Sequence, residues 1–251
     1  MININDLLQV CLVGLIFGTF GTTLGGIIGV KINKTSNKFL GFILSITSGL
    51  MTSIICFELI PEALSISNIF NTLFGIVLGI GMMIICDIYV DNKIPKRFKT
   101  VNNTKEELLK TGIVISIGLA IHNFPEGLAI GSGFESSIKL GLALAITICF
   151  HDIPEGMSMA IPLKNGGMRA GKIIYYVILS GVTTALGALL GAILGGISEK
   201  VIGLCLAFAA GAMIYIVSGE LTPESNKLYN GKTTAIGNMI GILIGFVAMS
   251  I

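Results

Sequence analysis

Only two histidines occur in the 251 residues, and each opens the same six-residue phrase inside an apolar segment. The phrases are His122-Asn123-Phe124-Pro125-Glu126-Gly127 and His151-Asp152-Ile153-Pro154-Glu155-Gly156. Histidine and glutamate stand at i and i+4, so on a helix they share a face, with Asn123 and Asp152 beside them. Neutral imidazole suits zinc, iron, copper and nickel, whereas a site for magnesium or calcium alone would use oxygen ligands throughout. The implied chemistry is binding of a divalent transition metal. Zinc or ferrous iron is favoured, and manganese and cadmium can use the same donors. Imidazoles, carboxylates and prolines are all costly in hydrocarbon, so a matched pair of such phrases calls for a functional cause. One intramembrane histidine could equally be a hydrogen-bonding contact between helices. Two complete phrases tip the balance to a site.

The prolines add to this. Pro125 cannot donate to the Ile121 carbonyl, nor Pro154 to that of Phe150, so kinks at matched places are expected. Gly127 and Gly156 then permit close approach and local unwinding.

The elements that must hold these phrases follow from composition. The chain is 53% hydrophobic and 12% charged, about half the charged share of a soluble domain. Its apolar runs reach the roughly 20 residues that span a bilayer. The expected fold is an all-α membrane protein, one polytopic domain over 1–251. Eight transmembrane helices are expected near 7–30, 39–63, 69–90, 112–133, 138–161, 173–196, 201–221 and 233–251. Met1 to Gln9 carries Asp6 but no Lys or Arg, so the first run reads as a span rather than a cleaved signal. Each phrase begins ten or more residues into its span, about 15 Å of helix, which places both near mid-membrane.

Of the 16 Lys and Arg, all but Lys139 and Lys200 fall in the connections 31–38, 91–111, 162–172 and 222–232 or at their edges. The positive-inside rule puts those connections in the cytoplasm and both termini outside, in the plasma membrane. The 91–111 loop reads as a cytoplasmic linker that turns helical from about Thr104. Cys11, Cys56, Cys86, Cys149 and Cys205 all fall within spans, and no CxxC occurs. Neither a disulfide framework nor a thiolate zinc site is suggested.

A second repeat is visible. Gly49-Leu50-Met51 followed by Glu58-Leu59-Ile60-Pro61-Glu62 recurs as Gly211-Ala212-Met213 followed by Glu220-Leu221-Thr222-Pro223-Glu224, at the same spacing. The copies lie five spans apart, hence in opposite orientation, as are the histidine phrases on spans four and five. One in-plane two-fold axis would relate both pairs and give a 3+2+3 inverted-repeat arrangement, a signature of secondary transporters. Glu58, Glu62, Glu220 and Glu224 lie toward span ends, where solvation and ion handling are both open. Met51 and Met213 lie deeper, as packing residues or thioether contacts to a soft ion. Asp87 reads as interfacial, and Tyr175, Tyr176 and Tyr215 as headgroup or packing aromatics. No Lys or Arg lies well inside a span, so the interior attracts cations. Metal binding there is expected to release protons.

With these residues the chain resembles the ZIP (Zrt-, Irt-like protein) metal transporters, nearest their prokaryotic branch, along its whole length. HNFPEG and HDIPEG as a pair are the specific part of that resemblance. It implies import of divalent metal toward the cytoplasm through a centre between spans two, four, five and seven. It implies His122, Glu126, His151 and Glu155 as ligands of the main site, with Met51 contributing. Asn123 and Asp152, with the shared Glu126 and Glu155, would form a neighbouring second site, and Glu220 would lie on the release route. Some relatives complete the second site with a glutamate on span six. Here that stretch, Ser180 to Gly187, has Thr184 in its place. The 91–111 loop also lacks the histidines of many eukaryotic relatives.

The expected function is therefore zinc import, with iron or manganese as other cargo, by alternating access rather than catalysis. No catalytic residue and no prosthetic group are expected. Expected partners are divalent metal ions and lipid, with a second copy of the chain as a candidate and no nucleic acid. The alternatives are an intramembrane metal-dependent hydrolase, against which the absence of HExxH speaks, and a metal sensor that moves nothing.

Overall fold

Backbone polar groups in hydrocarbon have no water to bond, so an apolar chain of this kind must satisfy them within helices. A computed structural model of the chain describes residues 4–32, 36–93 and 104–250. Lys34, Lys96, Arg97 and Lys99, with most of the predicted linker, lie outside the described residues. All described secondary structure is helical and falls into eight rods. They are α1 (Ile4–Lys31), α2 (Asn37–Ile66), α3 (Ile69–Lys93), α4 (Thr104–Ser136), α5 (Ile138–Asn165), α6 (Ala170–Gly195), α7 (Glu199–Leu228) and α8 (Lys232–Ser250). Among the described residues, six of them are long and apolar enough to cross a membrane.

The rods form two groups. In one, α1 packs on α5 and α6, and α4 on α5 and α6; in the other, α2 packs on α7 and α8, and α3 on α7. The groups meet chiefly where α4 touches α7 and α2 touches α5. Leu8, Leu12, Ile16 and Phe20 of α1, and Phe70, Phe74 and Val77 of α3, stay exposed on the outside. An apolar belt of this extent suits lipid and not water.

Two glycine pairs show how the groups are built. A Cβ at Gly49 would collide with the Asn238 carbonyl oxygen, and one at Gly211 with that of Ile76. A Cβ at Gly127 would collide with the Thr184 carbonyl oxygen, and one at Gly156 with that of Thr22. The step along the chain that carries Gly49 to Gly211 also carries Ile76 to Asn238 and Thr22 to Thr184. Helices in each group thus approach to backbone contact at equivalent places.

Two local features depart from the sequence expectation. First, α4 and α5 run unbroken through Pro125 and Pro154. The following glycines serve close packing on α6 and α1 and not unwinding. Second, the interruptions fall on α2 and α7, as π turns at Ile55–Leu59 and Val217–Leu221. The Ile60 N–H bonds back to the Ile55 carbonyl, and the Thr222 N–H to that of Val217. Each turn ends just before a proline, Pro61 or Pro223. A wider turn there relieves the clash between the proline ring and the preceding carbonyls without breaking the helix. It also rotates Glu58 and Glu220, which both lie within the turns.

Because these glycine contacts are to backbone, no side-chain shift can relieve an added methyl group. Gly49→Ala and Gly211→Ala are each expected to destabilise the protein by about 1–3 kcal/mol. Thermal unfolding in detergent checks this, and unchanged midpoints would contradict the packing described.

Candidate metal centre

The α4–α5 hairpin brings the two histidine phrases together. Its turn is a single residue, Ser137, whose hydroxyl accepts from the Leu140 N–H at 3.1 Å and caps α5. With α4 and α5 side by side, the i, i+4 faces of both phrases point at each other. His122 Nε2 lies 3.0 Å from Glu126 Oε1 and 3.2 Å from Glu155 Oε1. His151 Nε2 lies 2.6 Å from Glu126 Oε1. Ligating atoms of the four residues all lie within 4.8 Å of one another, and the four side chains are at most 2% exposed.

Such a cluster is costly unless something satisfies it. His122 Nδ1, His151 Nδ1, Glu126 Oε2 and Glu155 Oε2 are all buried without a hydrogen-bond partner. So are Asn123 Oδ1, both oxygens of Asp152, and Thr184 Oγ1. Buried polar atoms are nearly always paired, and a group of unpaired donors and acceptors in one place is the signature of a ligand site. Tetrahedral zinc with bonds of about 2.0–2.1 Å sets its ligand atoms roughly 3.4 Å apart. The three closest imidazole–carboxylate separations all lie a little below that spacing. Two imidazoles and two carboxylates are also the borderline donor set that zinc prefers.

The remaining predicted site residues fall in three places. Asn123 and Asp152 flank the cluster: Asn123 Nδ2 donates to the Ser180 carbonyl at 3.0 Å, and Asp152 Oδ1 lies 3.6 Å from His151 Nε2. Thr184, one turn beyond Ser180, is fully buried and its Oγ1 abuts Gly18. The neighbouring position is therefore surrounded by oxygen, with a neutral hydroxyl where a further carboxylate would add charge. Met51 is fully buried in the apolar core. Glu220, turned by its π turn, faces α4 at Gly118, where a Cβ would lie 3.8 Å from Oε2. That is one helical turn from His122.

A cavity of about 810 Å³ leads to the cluster. His122 and Glu155 line its inner end, while Glu220, Asp87, Glu224 and Lys227 line the walls toward the end of the bundle where α3, α5 and α7 finish. On the other side of the cluster the described residues form an apolar core. Met51, Ile54, Ile130, Leu144, Ile148 and Leu206, all fully buried, belong to it. The site thus communicates with one end of the bundle.

Sequence reasoning missed two features of this route. Asp87 lines the cavity and accepts a 2.6 Å hydrogen bond from the Tyr215 hydroxyl, so neither residue is merely interfacial. Cys86 beside it also lines the cavity. Only the helical step from Met83 through Cys86 and Asp87, unusually polar for α3, signalled this in one dimension.

Residues 96–251 match the family described as ZIP Zinc transporter. The chain is 33% identical to a "Zinc transporter ZupT" of Corynebacterium glutamicum, across 94% of this chain and 95% of that one. It is 30% identical to a "Zinc transporter ZupT" of Clostridium perfringens, across 99% and 96%. A "Zinc transporter ZIP11" of Xenopus tropicalis shares 37% over a shorter stretch, 53% of this chain and 41% of that one.

Removing one of four ligands should cost more than the roughly 10–100-fold that loss of a supporting hydrogen bond costs at a metal site. Calorimetric titration of the detergent-solubilised protein with zinc is expected to show this for Glu126→Gln, which keeps the volume and removes the charge. Unaltered affinity would separate the cluster from metal binding.

Proposed function

This chain belongs to the ZIP Zinc transporter family, and from that premise we propose that it carries zinc across a cell membrane into the cytoplasm. The family consists of transporters and not enzymes, which leaves the hydrolase alternative without support. One observation carries the proposal: a buried His/Glu cluster at the inner end of a cavity whose walls are lined with carboxylates. In this reading His122, Glu126, His151 and Glu155 hold the transported ion. Asn123 and Asp152 shape a neighbouring position, Met51 closes the site on its apolar side, and Glu220 accepts the ion on its way out.

The proposal includes the membrane topology. All eight helices cross the bilayer as one polytopic domain, α4 tolerating its polar phrase because that face meets protein and not lipid. The lysine-rich end faces the cytoplasm and both termini lie outside. The cavity then opens inward, and this conformation is the one that releases zinc. The helix packing supports a 3+2+3 inverted repeat, since exchanging α1–α3 with α6–α8, and α4 with α5, maps the main helix contacts onto one another. With two groups related in this way, a movement of one against the other converts an inward-open cavity into an outward-open one.

The ion's passage follows from the donors. Zinc entering from outside exchanges water for two imidazoles and two carboxylates. The imidazole–carboxylate contacts at 2.6, 3.0 and 3.2 Å are made by two Nε2 atoms, which hold up to two protons between the imidazoles and the carboxylates. A divalent ion replaces those protons and keeps every donor satisfied. Movement of the groups then exposes the ion to Glu220 and Asp87, whose carboxylates attract it out of the neutralised site. Ferrous iron, manganese and cadmium fit the same donors, and a pair of such chains in the membrane is compatible with the exposed apolar faces.

Two outcomes are expected. The Glu126→Ala/Glu155→Ala double variant should insert into membranes at normal level yet lose most zinc uptake by reconstituted vesicles. Normal flux would refute the site, and saturable binding without flux in the unaltered protein would favour a sensor. Zinc binding should also release protons, so calorimetric heats should vary with the ionisation enthalpy of the buffer. Heats independent of the buffer would contradict the exchange of protons for metal.

A further inference from the structure

At the other end of the bundle a side-chain bond to a carboxylate joins the two helix groups. The hydroxyl of Ser136, the last residue of α4, donates to Glu62 Oε1 of α2 at 2.5 Å, and both side chains are half-buried. Glu62 is aimed there by the π turn and Pro61 that precede it.

The repeat supplies a counterpart for each partner. The step from Met51 to Met213 carries Glu62 to Glu224, and the step from His122 to His151 carries Ser136 to Asn165, the last residue of α5. Chemically the roles are preserved: a neutral donor closes one helix of the hairpin, and a carboxylate follows the proline of α2 or α7. Their situation is the reverse. Glu224 and Asn165 line the open cavity, and Glu224 Oε2 is held instead by Lys227 Nζ at 3.4 Å, on an exposed face of its own helix.

We propose that these pairs are alternate latches between the helix groups. Glu62–Ser136 holds the outer end closed while Glu224 and Asn165 stand apart. When the groups move, Glu62–Ser136 parts, Glu224 exchanges Lys227 for the Asn165 amide, and the inner end closes. The inference rests on the alternating-access reading and names residues that set its two states. Neutral donors suit the task. A hydrogen bond to a carboxylate biases a two-state equilibrium by about tenfold, which selects a state without trapping it. No latch residue touches the ion, so all four act by positioning the groups.

The test uses the full chain in proteoliposomes, with its five native cysteines replaced. Two double variants, E62C/S136C and N165C/E224C, are treated with a short thiol–thiol cross-linker. The first is expected to link readily and the second slowly, and each is expected to lose zinc flux once linked. Adding Ser136→Ala to N165C/E224C should speed its linking about tenfold, by freeing the outer latch. Ser136→Thr, which keeps the hydroxyl, should not. A protein that carries zinc yet never links at N165C/E224C would overturn the latch, as would a linking rate indifferent to Ser136→Ala. Continued flux through fully linked E62C/S136C protein would instead overturn alternating access itself.

Discussion

Everything in this molecule is arranged around four side chains that cannot stand alone in a low-dielectric interior. An imidazole or carboxylate removed from water must be paired, and here His122, Glu126, His151 and Glu155 pair chiefly with one another. Each also retains a buried atom with no partner. That deficit is what a divalent ion would relieve in the proposed site, and it constrains the surroundings. The cluster has to sit on a rigid helical hairpin, away from lipid and within reach of water from one side at a time.

Close helix packing meets the first requirement. Gly127 and Gly156 set α6 and α1 directly against the backbone of α4 and α5, so the hairpin carrying the site is clamped on both sides. The second helix group is clamped in the same way through Gly49 and Gly211. Contact between the groups is of another kind, with side chains meeting across the site and few backbone approaches. Two stiff bodies with a softer seam are what a carrier needs, because the site must change its exposure without losing its geometry. The π turn of α7 carries Glu220, whose carboxylate faces α4 across that seam.

Much of this was legible in the sequence because its causes are local. Helix positions follow from apolar runs, the start of α4 at Thr104 from the change in composition, and the two halves of the site from the repeated phrase. The internal repeat could be read from Gly49 to Glu62 against Gly211 to Glu224. Other features depend on distant parts of the chain. Pro125 and Pro154 lie within unbroken helix, and the glycines two residues after them pack against α6 and α1. Pro61 and Pro223, read only as parts of a repeated phrase, each follow a widened turn of helix. The Asp87–Tyr215 and Glu62–Ser136 bonds join residues remote in sequence, and no one-dimensional spacing announces them.

The central claim is that zinc is held by two imidazoles and two carboxylates from the paired phrases. X-ray absorption at the zinc edge of the zinc-loaded protein tests it most directly. The account predicts about four nitrogen and oxygen neighbours near 2.0–2.1 Å, with the outer-shell scattering of two imidazole rings. A shell dominated by sulfur at about 2.3 Å, or one without imidazole scattering, would contradict it.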